Sequence, residues 1–124
     1  MNELNQSLEQ EIGLLHERIC SALGDATRIL ILYLLARQEM YVNEIAEELN
    51  QPQSTVSRHL KVLRERGLVL TARQGTAILY SLADQRIIEA LDIMRAILAE
   101  QIMTQAAITG AISNEKSPQT RSEK

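Results

Sequence analysis

The chain has no tryptophan and no phenylalanine, and Tyr33, Tyr41 and Tyr80 are its only aromatic residues. That poverty argues against modules that stack unpaired bases on aromatic platforms, such as RNA-recognition sheets and oligonucleotide-binding barrels. Cys20 is the single cysteine, so no intrachain disulfide is available. The longest unbroken apolar run, Ile29 to Leu35, is far too short to span a bilayer. The first residues are polar and acidic, with no apolar signal-peptide core, so a cytoplasmic protein with no membrane partner is expected. No internal repeat is visible. No Ser/His/Asp set, metal-ligand cluster or phosphate-cradling glycine loop appears either, so no enzyme and no cofactor is expected.

What is present fits one domain of 124 residues with a modest core. The formal net charge is -3, which looks wrong for a DNA-binding protein. The charges are segregated, however. Residues 51–83 carry Arg58, Lys61, Arg64, Arg66 and Arg73 against Glu65 alone, while the rest of the chain holds 8 Lys/Arg against 15 Asp/Glu. A basic island on an acidic body binds phosphate while the body discourages indiscriminate attachment.

The basic island begins with a helix. Between Gln51 and Gly67, Val56, Leu60 and Leu63 recur at helical spacing, with Ser54, Arg58, Lys61 and Glu65 opposite and Thr55, Ser57 and Arg64 flanking. Pro52 suits its first turn and Gly67 the left-handed position past its end. Short hydroxyls near its start and cations along its outer face suit a DNA groove. A solvated amphipathic helix is the alternative.

The segments around it take the choice further. Glu3 to Leu23 reads as one long helix whose Leu4, Leu8, Ile12, Leu15, Ile19 and Leu23 form a narrow seam. That seam caps the chain's own core or pairs with a second chain. Asp25 is a plausible cap for a second element, Ala26 to Arg37, whose run Ile29 to Leu35 has no polar face. Periodicity alone allows a buried helix or strand, and the leucine content, the cap and the length favour a helix buried on most sides. Arg28 in its first turn opposes the helix dipole, which calls for a partner, either an acidic side chain or a DNA phosphate. Asn43 caps a short helix, Glu44 to Leu49, in which Ala46 permits close approach. Two short helices and a tight turn, the second with a basic outer face, give a helix-turn-helix pattern. Leu68 to Arg73 and Thr76 to Leu82 then read as a hairpin turning at Gln74-Gly75, with Arg73 at its tip.

Asp84 caps a last helix running to about Ala111, with a seam of Ile87, Leu91, Met94, Leu98 and Ile102. Its apolar surface exceeds what one small domain covers, so the first and last helices are expected to form a homodimer interface. The fold class is mainly α with a β-hairpin wing, in the order α-α-α-α-β-β-α. Residues 1–112 are expected to form the winged-helix domain with its dimerisation helices, and residues 113–124 a polar disordered tail.

Ala22-Leu23-Gly24-Asp25-Ala26-Thr27-Arg28 followed by Ile29-Leu30 resembles the opening signature of the ArsR/SmtB family of bacterial transcriptional repressors. Ile45 to Leu49, Ser54-Thr55-Val56-Ser57-Arg58-His59-Leu60-Lys61-Val62-Leu63 and Gly67-Leu68-Val69 resemble its helix-turn-helix core, and Gly75 with Tyr80-Ser81-Leu82 its wing. The resemblance implies a homodimer that binds double-stranded operator DNA near a promoter and is released by an effector, here unidentified. Gln53, Ser54, Thr55, Ser57, Arg58 and Lys61 would face the major groove, while Arg73, Arg28 and Arg64 would hold phosphates. His59 is expected to be a packed, hydrogen-bonded residue.

Two metal sites known in the family are not matched: the third helix has no cysteine pair, and no His or Cys follows His59. Carboxylates alone make a poor zinc site. Cys20 with His16, four residues earlier, is the remaining sensor candidate, for a thiol oxidant or a metal shared between two chains. The other reading is a packed Cys20 acting as a small hydrophobe. A winged helix used for protein interaction is the alternative to DNA binding, and would lack salt-dependent affinity for DNA.

Overall fold

The computed structural model describes the backbone of residues 3–116 and the side chains of residues 5–110. Its elements are α1 (Glu3–Leu15), a π-turn (His16–Cys20), a 3₁₀ turn (Ala22–Gly24), α2 (Ala26–Arg37), β1 (Met40–Tyr41), α3 (Val42–Leu49), α4 (Gln53–Glu65), β2 (Val69–Gln74), β3 (Ala77–Leu82) and α5 (Gln85–Lys116). They divide into two compact units, Met1–Ile88 and Glu89–Lys124, with α5 running from one into the other.

The core of the first unit is built by α2, α3 and α4 closing on one another. Ile31, Leu32, Ile45, Val56, Leu60 and Leu63 are fully buried, with Leu35, Met40, Leu68 and Val69 beside them. Each such side chain contributes about 1.5–3 kcal/mol on leaving water. Ala46 is buried where α3 packs on α4, and its single methyl lets the two backbones approach. Both helices of this pair end in the same left-handed motif. Asn50 takes φ +53°, with its N–H on Glu47 O and the Gln51 N–H on Ala46 O. Gly67 takes φ +77°, with its N–H on Arg64 O and the Leu68 N–H on Leu63 O. Each pair of bonds satisfies carbonyls that the helix end leaves open.

The first expected helix is not regular throughout. It is regular to Leu15, then widens at the π-turn, where the Ser21 N–H reaches back to His16 O, and tightens into the 3₁₀ turn. The Ser21 hydroxyl bonds to Glu17 O, a local competitor for the ladder that bends helices. Three boundaries move by a residue or so. Pro52 is extended, at φ −62° and ψ 145°, and caps α4 from outside instead of opening it. In α3, Tyr41 stands before the helix and its N–H bonds to the Glu44 carboxylate at 2.9 Å, so Asn43 is not needed as a cap. In the hairpin, Gln74 pairs with Ala77, which leaves Gly75-Thr76 as the turn, with Gly75 at φ +65°. Glycine at the first central position provides the positive φ that a two-residue hairpin turn needs.

The sheet holds a strand the sequence did not reveal. Met40 and Tyr41 pair with Tyr80 and Leu79, giving the order β1-β3-β2. Two residues carry no readable alternation. At the far end α5 continues to Lys116, past the expected stop near Ala111, because the next helix breaker is Pro118. The remainder of the expected tail lies outside the described residues.

Replacing Leu60 with alanine should destabilise the chain by about 2–5 kcal/mol. Lys61→Ala, one residue along but exposed, should stay within about 0.5 kcal/mol. Urea unfolding of the two variants checks the contrast, and equal losses would contradict the assigned faces of α4.

Candidate nucleic-acid interface

Seating Val56, Leu60 and Leu63 at zero exposure turns the opposite side of α4 to solvent. Gln53, Ser54, Ser57, Arg58, Lys61 and Arg64 are all exposed, and Thr55 is half-buried at the edge. The positive end of the α4 dipole lies at Gln53 and Ser54, which suits an anion. Arg73 is exposed beside the hairpin turn, where β2 and β3 carry it away from the core. Among the described residues no ion pair neutralises Arg58, Lys61, Arg64 or Arg73. These cations therefore keep their charge available to an external acceptor.

Arg28 stands apart from them. It is half-buried, and its guanidinium is engaged inside the chain. Nε donates to Ala22 O at 2.6 Å, Nη2 to Ser21 O at 3.4 Å, and Nη1 lies 3.4 Å from His59 Nδ1. The partner that its awkward place in the helix demanded is thus a pair of backbone carbonyls and an imidazole. A guanidinium has no lone pair to offer, so His59 Nδ1 accepts and Nε2 carries the hydrogen. That nitrogen lies 3.9 Å from Asp25 Oδ1, too long for a hydrogen bond. His59 is half-buried, as expected of a packed histidine.

Asp25 caps α2 by accepting from the Thr27 N–H at 2.8 Å and the Arg28 N–H at 3.2 Å. Burial pushes its carboxyl up, but the Arg28 amide, the His59 ring, the Thr27 amide and the Arg28 charge outweigh this and hold it below the usual range. Asp84 caps α5 in the same way, accepting from the Arg86 N–H at 2.9 Å. The Arg86 side chain and amide lower its pKa from 3.8 to about 2.

Sequence reasoning missed Arg66, which caps α4 and donates Nη1 to Glu17 O at 2.8 Å, across 49 positions of chain. No local pattern marks such a bond. The expected dimer residues also divide. Leu8, Ile12, Leu15, Met94, Leu98 and Ile102 are exposed, Ile19 and Ile87 are half-buried, and Leu91 is buried within the single chain and so cannot cover a partner. The Leu4 side chain lies outside the described residues. Cys20 is exposed in the single chain, contrary to its reading as a packed small hydrophobe, while its neighbour Ile19 is half-buried. His16 is exposed too. Among the described residues no group of three His, Cys, Asp or Glu is placed to hold a metal ion. Among the same residues no helix is long and apolar enough to cross a membrane.

A helix-turn-helix whose second helix carries a basic outer face, followed directly by a β-hairpin, defines a winged helix-turn-helix protein. The sequence profile described as "Bacterial regulatory protein, arsR family" matches residues 25–71, from the cap of α2 into β2. The HTH-type transcriptional regulator KmtR of Mycobacterium tuberculosis is 48% identical over 65 residues, which cover 52% of this chain and 50% of KmtR. The chain thus spans about half the length of that relative. The uncharacterized HTH-type transcriptional regulator MJ1325 of Methanocaldococcus jannaschii is 40% identical over 77 residues, 61% of this chain and 86% of that protein. Among solved structures, the homodimeric winged helix-turn-helix DNA-binding domain of Mb0332 from Mycobacterium bovis superposes with a TM-score of 0.65. It is 26% identical and covers 82% of this chain and 91% of its own. The chain belongs to the ArsR family of bacterial regulatory proteins.

The capping carboxylates give a pH dependence of definite sign. Both have folded-state pKa values below their unfolded ones, so their stabilisation is complete above about pH 3.8 and is lost as pH falls. For Asp84 the loss extends to about pH 2. Asp84→Asn keeps a capping oxygen without the charge, and should flatten this acid limb when urea unfolding is followed against pH. An unchanged limb would remove Asp84 from the account.

Proposed function

We propose that the chain is a cytoplasmic, homodimeric, sequence-specific DNA-binding repressor, released from its operator by an effector, and not an enzyme. One observation carries the reading most directly: Arg58, Lys61, Arg64 and Arg73 lie exposed on α4 and the wing without internal counter-ions among the described residues. α4 enters the major groove, with Gln53, Ser54, Thr55, Ser57, Arg58 and Lys61 toward the base edges, and Arg58 is the residue assigned to a guanine. Arg64 and Arg73 hold phosphates on either side. Arg28, spent on Ser21, Ala22 and His59, is reassigned from phosphate contact to internal support.

The proposed dimer rests on exposed apolar surface. Leu8, Ile12 and Leu15 on α1 and Met94, Leu98 and Ile102 on α5 leave between 43% and 59% of their surface to water, at helical spacing. Single exposed apolar residues are ordinary, but continuous stripes on two helices call for a cover. The homodimeric state of the Mb0332 domain supports a second copy as that cover. Two α4 helices would then meet successive major grooves about 34 Å apart, on an imperfect inverted repeat. For the effector, exposure of Cys20 favours a thiol-directed signal over a buried one.

Selection of bound sites from genomic DNA, followed by titration of the selected duplex at several salt concentrations, tests the reading. A steep fall in affinity with salt supports it, and a flat profile favours a protein-interaction module instead. Arg58→Ala should lose about 1–3 kcal/mol of binding and relax specificity at one operator position. Equal loss on every sequence would make Arg58 a phosphate contact. Leu98→Glu should shift the protein to monomer in sedimentation, and an unchanged mass would take Leu98 out of the interface.

A further inference from the structure

Two arginines that do not belong to the exposed face of α4 tie that helix to the segment following α1. Arg66 at the end of α4 donates to Glu17 O, and Arg28 links Ser21 O and Ala22 O to His59 in the middle of α4. Glu17 and Ser21 belong to or border the π-turn, and the flanking residues Leu15 (φ −59°, ψ −46°) and Ser21 (φ −63°, ψ −36°) are both helical. The π-turn is therefore a continuation of α1. Its carbonyl end is the negative pole of that helical segment, where a guanidinium is favoured.

The two attachments are seven residues apart on α4, about 10 Å along its axis. Core packing fixes which face of α4 turns inward, and two attachments this far apart add a constraint on its tilt against α1. We infer that Arg28 and Arg66 are positioning residues that set the tilt of α4 against α1, and through it the separation of the two reading helices in the dimer. The inference rests on the DNA-binding, dimeric reading above. Neither arginine is asked to touch DNA. Their effect is on which spacing of half-sites the dimer accepts.

The test uses the full chain and the duplex selected by the wild-type protein, together with duplexes lengthened or shortened by two base pairs between the half-sites. Two base pairs turn one half-site by roughly 70° relative to the other. Wild type should prefer the original spacing strongly. Arg66→Gln should shrink that preference by about 3- to 30-fold, the range over which substitutions along a coupling network act. The salt slope should not change, because no phosphate contact is lost. Arg66→Lys keeps a charged donor near the reach of the guanidinium, which the shorter glutamine amide lacks, and should retain the preference. Arg28→Lys gathers its donors on one nitrogen, cannot span the three partners that Nε, Nη1 and Nη2 reach, and should lose it. If the half-buried Arg28 variant melts early, the exposed Arg66 pair decides the matter.

An unchanged spacing preference in Arg66→Gln would overturn the inference. So would an equal loss at all spacings with a shallower salt slope, since that marks a phosphate contact. A wild-type protein without salt-dependent DNA binding would instead remove the repressor reading, and the inference with it.

Discussion

Burial of Val56, Leu60 and Leu63 on α4 is the constraint on which the rest depends. A helix has 3.6 residues per turn, so fixing three inner positions fixes every outer one. With those three side chains against α2 and α3, Ser54, Ser57, Arg58 and Lys61 have no freedom to face elsewhere. The specificity surface is thus a by-product of core packing. Its orientation is secured by apolar area, and its chemistry is free to vary without disturbing the fold.

Around that helix the chain uses two kinds of fastening. The left-handed ends at Asn50 and Gly67 stop α3 and α4 abruptly, which keeps the helix-turn-helix turn short and starts the wing at once. Arg66 reaches Glu17 O from far along the sequence, and Arg28 joins Ser21 O and Ala22 O to His59, so that both tie α4 to the end of α1. Backbone carbonyls are the acceptors in both cases. Such bonds depend on the acceptor's conformation and not on its side chain, which makes the π-turn and the 3₁₀ turn part of the mechanism proposed for spacing the two reading helices.

Much of the fold was legible because its signals are local. The apolar triplet of α4, the Asp25 and Asp84 caps, Gly67 after the helix and Gly75 in the hairpin each announce themselves within a few residues. Arg28 was legible only as a problem, a cation at the wrong end of a helix dipole, and its solution lay in carbonyls six and seven positions back and in His59 on another helix. β1 was invisible, because two residues have no period and pair only when β3 is placed beside them. The π-turn was equally hidden. The seam of α1 continues through it in sequence, so only backbone geometry shows where the regular helix ends.

By itself the sequence determined which residues form the reading helix and the wing, and that the family is a winged helix-turn-helix one. Periodicity, turn residues and the segregation of positive charge are properties of neighbouring residues and survive without coordinates. Only the tertiary structure decided which cations are free and which are spent. Arg28 could be singled out in sequence as needing a partner, though not which one, and Arg66 differs from Arg58, Lys61, Arg64 and Arg73 in nothing a one-dimensional chain records. They differ in whether a carbonyl from a distant turn arrives within about 3 Å, and that is settled when the helices pack.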